Sequence, residues 1–191
     1  MTEPIILASA SPRRREILTT LGIPHRILVS DADETLPAGI SPAQAVETLA
    51  ARKAAAVAPL VAAEDIVLAA DTVVAVDGDI LGKPCDEADA AAMLRRLSGR
   101  AHTVYTGVAL RRGEQVLIAH EATDVHFAPL TETDIAAYIA TGEPADKAGA
   151  YAIQGRGAAF VERIEGDYFN VVGLPAHRVV TMLAALRTSL A

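Results

Sequence analysis

IVLAADTVVAVDGDILGK, residues 66–83, decides the fold. Its first eleven residues are apolar except for Asp71 and Thr72, the composition of a strand buried on both faces. Asp77-Gly78 is a two-residue hairpin signal that returns the chain through Ile80, Leu81 and Lys83. Strand direction therefore reverses, and the sheet cannot be purely parallel. A two-residue turn pairs Val76 with Asp79 and hence Thr72 with Lys83, which gathers Asp71, Thr72 and Lys83 at one end of the ribbon unless a longer or bulged loop intervenes. A carboxylate in so apolar a run is costly without a cation or several donors. Asp71 thus expects either a metal ion or a structural ion pair.

Outward from this ribbon, helical and strand patterns alternate. Residues 4–8 read as a short buried strand, and Ser11-Pro12 supplies an N-cap and a first-turn proline for a helix to about Leu21. Ser41-Pro42, with Gln44 at the capping-box position, announces a second helix whose Val46, Leu49, Ala50 and Val57 share one face, ending near Pro59. Ala90, Met93, Leu94 and Leu97 mark a helix over 86–97 that stops at Ser98-Gly99. Strands follow at 102–110 and 115–127 around the Arg112-Gly113 bend, and Thr131-x-x-Asp134 opens a short helix. Residues 142–157 hold four glycines and one proline and read as loop, of the kind that often lines sites. A strand at 160–164 and a C-terminal helix striped by Val179, Met182, Leu183, Leu186 and Leu190 complete the chain. There is no repeat, low-complexity tract or interdomain linker, so residues 1–191 are expected to form one domain.

Of 191 residues, 51% are hydrophobic and 21% charged, enough apolar surface for a sizeable core. No apolar run reaches the ~20 residues of a membrane span. MTEPIILAS has no charged region ahead of a long apolar stretch, so a soluble cytoplasmic protein is expected. Cys85, the single cysteine, excludes an internal disulfide and offers no metal-ligand spacing. A net charge of -7 disfavours nucleic acid or an anionic membrane as partner unless cations are gathered in one place. The known phosphate-binding loops, the serine nucleophile elbow and the H-E-x-x-H zinc motif are all missing. The five histidines, at 25, 102, 120, 126 and 177, lack ligand spacing.

The cations are gathered at Arg13, Arg14 and Arg15, in the first turn of the first helix. A helix start prefers anions, so either a phosphate meets these side chains together with Ser9, Ser11 and backbone N–H groups, or the arginines are solvated or paired with Glu16. Lys53 interrupts the apolar face of the second helix, where lysine ordinarily snorkels to water. Glu34, in DADET, is either a hard-metal ligand or part of an exposed acidic loop.

LASASPRRREIL at 7–18, AADTVV at 69–74, LGKP at 81–84, YTGVAL at 105–110, DKAGAYAIQG at 146–155 and VVGLP at 171–175 occur in one order along nearly the whole chain. Together they resemble the Maf family, the septum-formation-related nucleotide pyrophosphatases. The resemblance implies an α/β fold around a strongly bent mixed β-sheet flanked by helices, with two lobes and a cleft, similar to the inosine triphosphate pyrophosphatases. Homodimers are common in such proteins. It further implies hydrolysis of a nucleoside triphosphate to monophosphate and pyrophosphate. Ser9, Arg13, Arg14, Lys53 and Lys83 would hold phosphates, Glu34 and Asp71 a divalent cation (Mg²⁺ or Mn²⁺), and Asp71 would be the base for water. Arg13, Thr72 and Gln154 match the dTTP/UTP branch. The branch resembling 7-methyl-GTP pyrophosphatases carries a bulky or aromatic residue, glutamine and glutamate at those places. A glutamine amide offers both donor and acceptor, as the imide edge of thymine or uracil requires. GDYFNVVGLP, at 166–175, places Phe169-Asn170 at a loop that varies in the family. The alternatives are a nucleotide-sensing regulator of cell division without turnover and a pyrophosphatase acting on modified nucleotides.

Overall fold

The computed structural model describes residues 3–29 and 31–188. In chain order it contains β1 (Ile5–Leu7), α1 (Pro12–Thr20), β2 (His25–Ile27), α2 (Pro42–Val57), β3 (Val67–Val76), β4 (Asp79–Leu81), α3 (Glu87–Leu97), β5 (Ala101–Arg112), β6 (Gln115–Phe127), α4 (Glu132–Ile139), β7 (Val161–Glu165), α5 (Tyr168–Val172) and α6 (Ala176–Thr188). The strands form one mixed sheet in the order β2-β1-β3-β5-β6-β7, with β4 beside β3. β1 runs parallel to β2 and β3, and every other pairing is antiparallel. No helix among the described residues is long and apolar enough to cross a membrane.

Local signals account for most boundaries. Ser41 Oγ accepts the Gln44 N–H at 3.3 Å, and Thr131 with Asp134 forms a complete capping box. Ser11 occupies the N-cap position of α1 but caps nothing with its side chain; its own N–H donates to Ser9 Oγ at 3.2 Å. Two elements differ from the expectation. β2 is a three-residue, largely exposed strand with no apolar pattern to announce it. The segment carrying Phe169-Asn170 is the helix α5 rather than a loop, because Asp167 Oδ1 caps the Phe169 N–H at 2.8 Å and Asn170 is fully buried. Val179, Met182, Leu183 and Leu186 are buried as expected, and Leu190 lies outside the described residues.

Alternation along β3 divides the interior. Leu68 and Ala70 face one side of the sheet, where β1, α1 and α6 supply Ile5, Leu7, Ile17, Leu18, Val179 and Leu183. Val67 and Ala69 face the other side, against Ala50, Ala54 and Val57 of α2. Further along, Val74 and Val76 enter a separate core with Leu94 and Leu97 of α3, Ile135 and Tyr138 of α4, and Phe127, Tyr151 and Phe160. Between the cores β3 is polar and only half-buried, at Asp71 and Thr72.

The hairpin register is as read for Val76↔Asp79, but it ends at Val74↔Leu81. The Gly82 carbonyl accepts the Gly149 N–H at 3.0 Å, which draws the chain away from β3 before Lys83 can pair with Thr72. Thr72 keeps its pairing on the other side of β3, with Thr106 of β5. On the side of β3 away from β5, β1 pairs only at Val67 and Leu68 and β4 only from Val74 onward. Residues 69–73 therefore face a gap in the sheet, the kind of crevice that diverging strands leave open for ligands.

The second core also carries a titrating group. His102 is buried, with Nε2 2.8 Å from the Tyr151 hydroxyl and its ring edge-on to Phe127 at 4.9 Å. Burial, reinforced by His126, pushes its pKa down from 6.5 to about 4 against the opposing charge of Asp124. The unfolded chain therefore binds a proton that the folded chain refuses between these values. The resulting stabilisation, about 3 kcal/mol, is fully present above pH 6.5 and is lost as the pH falls through 4. His102→Gln is expected to flatten the fall of Tm over this window by roughly 5 °C or more. Parallel Tm–pH curves for the two proteins would refute this.

Candidate active site

The gap beside β3 is bordered from both faces of the sheet. On the α2 face, Lys53 turns its ammonium inward rather than snorkelling to water. Its Nζ lies 2.5 Å from Asp71 Oδ1 and 2.8 Å from Glu34 Oε1. The side chains of Lys53 and Asp71 are 14% and 13% exposed, whereas Glu34 is 63% exposed, so the arrangement opens to solvent on the Glu34 side. α2 comes this close because Gly107, the β5 partner of Asp71, has no side chain: a Cβ there would lie 2.3 Å from the Val46 carbonyl oxygen. The DADET loop is held by Arg52, which donates to the carbonyls of Asp33 and Thr35 at 3.2 and 2.6 Å, on either side of Glu34. Adjacent residues of α2 thus grip the loop backbone and its carboxylate. The Lys53 hydrogen bond holds the Glu34 carboxyl below its usual pKa; burial opposes this, and the charges of Lys53, Lys83 and Arg14 reinforce it.

On the other face, Arg14 of α1 reaches the same gap. Its Nε donates to the Gly173 carbonyl at 2.8 Å, one terminal nitrogen to Ser9 Oγ at 3.2 Å and the other to Thr72 Oγ1 at 3.0 Å. Thr72 Oγ1 lies 2.9 Å from Thr106 Oγ1, whose hydroxyl donates to the Asn170 carbonyl at 2.9 Å. Asn170 Nδ2 in turn donates to Val104 O and Thr123 Oγ1, both at 2.9 Å. Burial lowers the Arg14 pKa, as does Arg13, while Asp71 and Glu34 oppose that shift. Ser9, Arg14 and Thr72 are therefore one network tying α1, β3 and α5 together. The fork still has N–H groups to spare for an anion.

Arg13 is half-buried and has no ion-pair partner among the described residues; its charge is felt by Asp146 and Tyr138, on the side where the 142–157 segment lies. The N–H groups of Arg13 and Arg14, at the start of α1, have no acceptor among the described residues, which leaves donors suited to an anion. Lys83 is exposed, likewise without an ion-pair partner among them, and close enough to Glu34 to act on its carboxyl. Gln154 is exposed at the tip of its turn, next to Ile153, which packs against both principal cores.

Glu34 and Asp71 converge on a single cationic point. Two carboxylates, with phosphate oxygens and water completing the shell, suit a hard divalent ion such as Mg²⁺. Among the described residues no group of three or more His, Cys, Asp or Glu side chains could hold a metal.

Asp71, Lys53, Glu34, Ser9, Arg14 and Thr72 thus come together around the gap, with Lys83 and Arg13 in electrostatic range of it; Gln154 is exposed on the 142–157 segment and hydrogen-bonds to none of them. Arg52, Thr106, Gly107 and Gly173 contribute without having been singled out by sequence, and Asn170, noted there only as part of a loop, is a buried member of the network. Thr106 and Gly107 lie in YTGVAL and Gly173 in VVGLP, so the family-like motifs were their only signal; Arg52 lies in none of them.

The fold and site define a mixed α/β protein with a cationic cluster and two carboxylates in a gap of its central sheet. The chain belongs to the Maf family: residues 4–186 match the family described as Maf-like protein. It is 58% identical to a dTTP/UTP pyrophosphatase of Symbiobacterium thermophilum over 95% of this chain and 93% of that one. It is 55% identical to a dTTP/UTP pyrophosphatase of Pelotomaculum thermopropionicum, over 94% of each. Among solved structures, a HAM1 protein from Coxiella burnetii covers 98% of this chain and is itself wholly covered, at 14% identity and a TM-score of 0.49.

Proposed function

We propose that this protein hydrolyses dTTP and UTP to the nucleoside monophosphate and pyrophosphate in a reaction that requires a divalent cation. The observation that carries this reading is the Lys53 ammonium shared between Asp71 and Glu34 inside a sheet gap that Arg14 enters from the opposite face. Relatives more than half identical to this chain and named dTTP/UTP pyrophosphatases support the substrate class.

Glu34 and Asp71 would hold Mg²⁺ or Mn²⁺, which when bound neutralises and polarises phosphoryl oxygens. Asp71 takes the proton of the attacking water as the water oxygen bonds to the α-phosphorus. The bond from that phosphorus to the α–β bridging oxygen breaks, and pyrophosphate leaves with the electron pair. Lys53, Lys83 and Arg13 meet the charge that accumulates on the bridging and leaving oxygens, where phosphoryl-type transfers most need cations. Arg14 and Ser9 hold a phosphate from the α1 side, with Thr72 fixing the guanidinium. Gln154 presents its amide to the imide edge of the base.

A release assay with Mg²⁺ or Mn²⁺ tests this on dTTP, UTP, CTP, 7-methyl-GTP and dITP. Cleavage of dTTP and UTP at least about tenfold more efficient than of the others, abolished by chelator, is expected. Preference for another triphosphate would reject the base assignment. Undiminished turnover in chelator would reject the cation, and binding without turnover would favour a nucleotide sensor.

A further inference from the structure

Gln154 sits on a turn tied down on both sides by two side chains from outside it. Tyr138, in the last turn of α4, is buried; its hydroxyl accepts the Ala152 N–H at 3.1 Å and donates to Glu143 Oε1 at 2.8 Å. The Glu143 carboxylate accepts the N–H of Arg156 at 3.0 Å and that of Gly157 at 3.2 Å. The segment is thus held two residues before Gln154 and again two and three residues after it. An acceptor-only carboxylate facing two N–H groups and a hydroxyl that both donates and accepts is a fully matched set. Burial pushes the Glu143 pKa up, but the bonds from Arg156, Tyr138 and Gly157 and the charge of Lys147 bring it below its ordinary value.

The clamp is closely built. A Cβ on Gly155 would lie 2.7 Å from Glu143 Oε2, and one on Gly157 2.7 Å from the Tyr138 hydroxyl. Gly155 has φ +101° and ψ -152°, a backbone region essentially reserved for glycine. Thr141 fixes the two clamp residues relative to each other, donating to the Tyr138 carbonyl at 2.6 Å and accepting the Glu143 N–H at 3.1 Å. Neither residue hydrogen-bonds to a phosphate-side residue, although Tyr138 feels the charge of Arg13. What it holds still is the turn that carries Gln154.

We propose that Tyr138 and Glu143 are positioning residues for base selection, fixing the 152–157 turn so that the Gln154 amide meets the pyrimidine edge in one orientation. This rests on the reading of Gln154 as the residue that recognises the base. Tyr138→Phe removes one oxygen while keeping the ring against Phe160, its edge-on neighbour at 4.9 Å. Its effect is read as the ratio of kcat/KM for dTTP to that for dGTP, in the otherwise unaltered protein and in a Gln154→Ala background. The variant is expected to lower the ratio about tenfold, through the KM of dTTP with kcat within about threefold, and to change it less than about twofold once Gln154 is gone. Equal losses in both backgrounds, a parallel fall for both substrates, or an unchanged ratio would overturn the proposal. Glu143→Gln, which sets a donor against either the Arg156 N–H or the Gly157 N–H, is expected to behave alike and serves if Tyr138→Phe does not fold. Gln154→Ala leaving the ratio unchanged would sink the base-recognition reading and the clamp with it. Discrimination lost in Gln154→Ala but kept in Tyr138→Phe would sink the clamp alone.

Discussion

Asp71→Asn is expected to lower kcat for dTTP by roughly 10² to 10⁴, the loss typical of a missing acid–base group, with little change in KM or Tm. Asparagine has the same shape and its amide oxygen can still accept from Lys53, 2.5 Å from the carboxylate in the native protein. What it cannot do is take a proton from water. The same substitution separates catalysis from architecture. If the pair with Lys53 were only structural, Tm would fall and turnover would persist. Single-turnover rates beside a thermal melt decide the matter, and a variant with full activity would remove Asp71 from the chemistry.

Gly107→Ala is expected to reach the site through α2. The added Cβ would stand 2.3 Å from the Val46 carbonyl oxygen and 2.8 Å from the Glu47 nitrogen, both backbone atoms that no rotamer change can move. Ordinary contact begins near 3.4 Å, so α2 must back away from β5 by about 1 Å. Overpacking of this kind costs about 3 kcal/mol in stability. Because α2 also carries Lys53 and Arg52, the shift lengthens the contact with Asp71 and loosens the grip on the Glu34 loop. A displacement near 1 Å in a reacting constellation costs about a hundredfold in kcat/KM. Chemical denaturation and steady-state kinetics check the two effects. A variant as stable and as active as the native protein would show that α2 does not rest on Gly107.

Much of this architecture was legible because it is written in short-range chemistry. Asp77-Gly78 announced the reversal that makes the sheet mixed, and the Ser41 and Thr131 caps marked where helices begin. Asp71 and Lys53 stood out because each is a charge on an apolar face, and such a residue needs a partner. They proved to be each other's partner. β2 and α5 were not legible, since a three-residue exposed strand has no periodicity and a five-residue helix is shorter than one apolar repeat.

The register beyond Leu81 was lost for a different reason. Hairpin rules extend a ladder as long as nothing competes for its hydrogen bonds, and here Gly149, far along the chain, takes the Gly82 carbonyl. That single long-range bond helps keep the gap beside Asp71 open. The sequence by itself determined the mixed sheet, the family motifs and the identity of the charged residues, because composition, turn chemistry and the cost of burying a lone charge are local properties. Only the tertiary structure decided which faces those charges share, that Arg14 is braced by Thr72 and Gly173, and that Tyr138 and Glu143 hold the turn of Gln154. Hydrogen bonds between segments tens of residues apart depend on the packing of the intervening chain, and no local pattern records it.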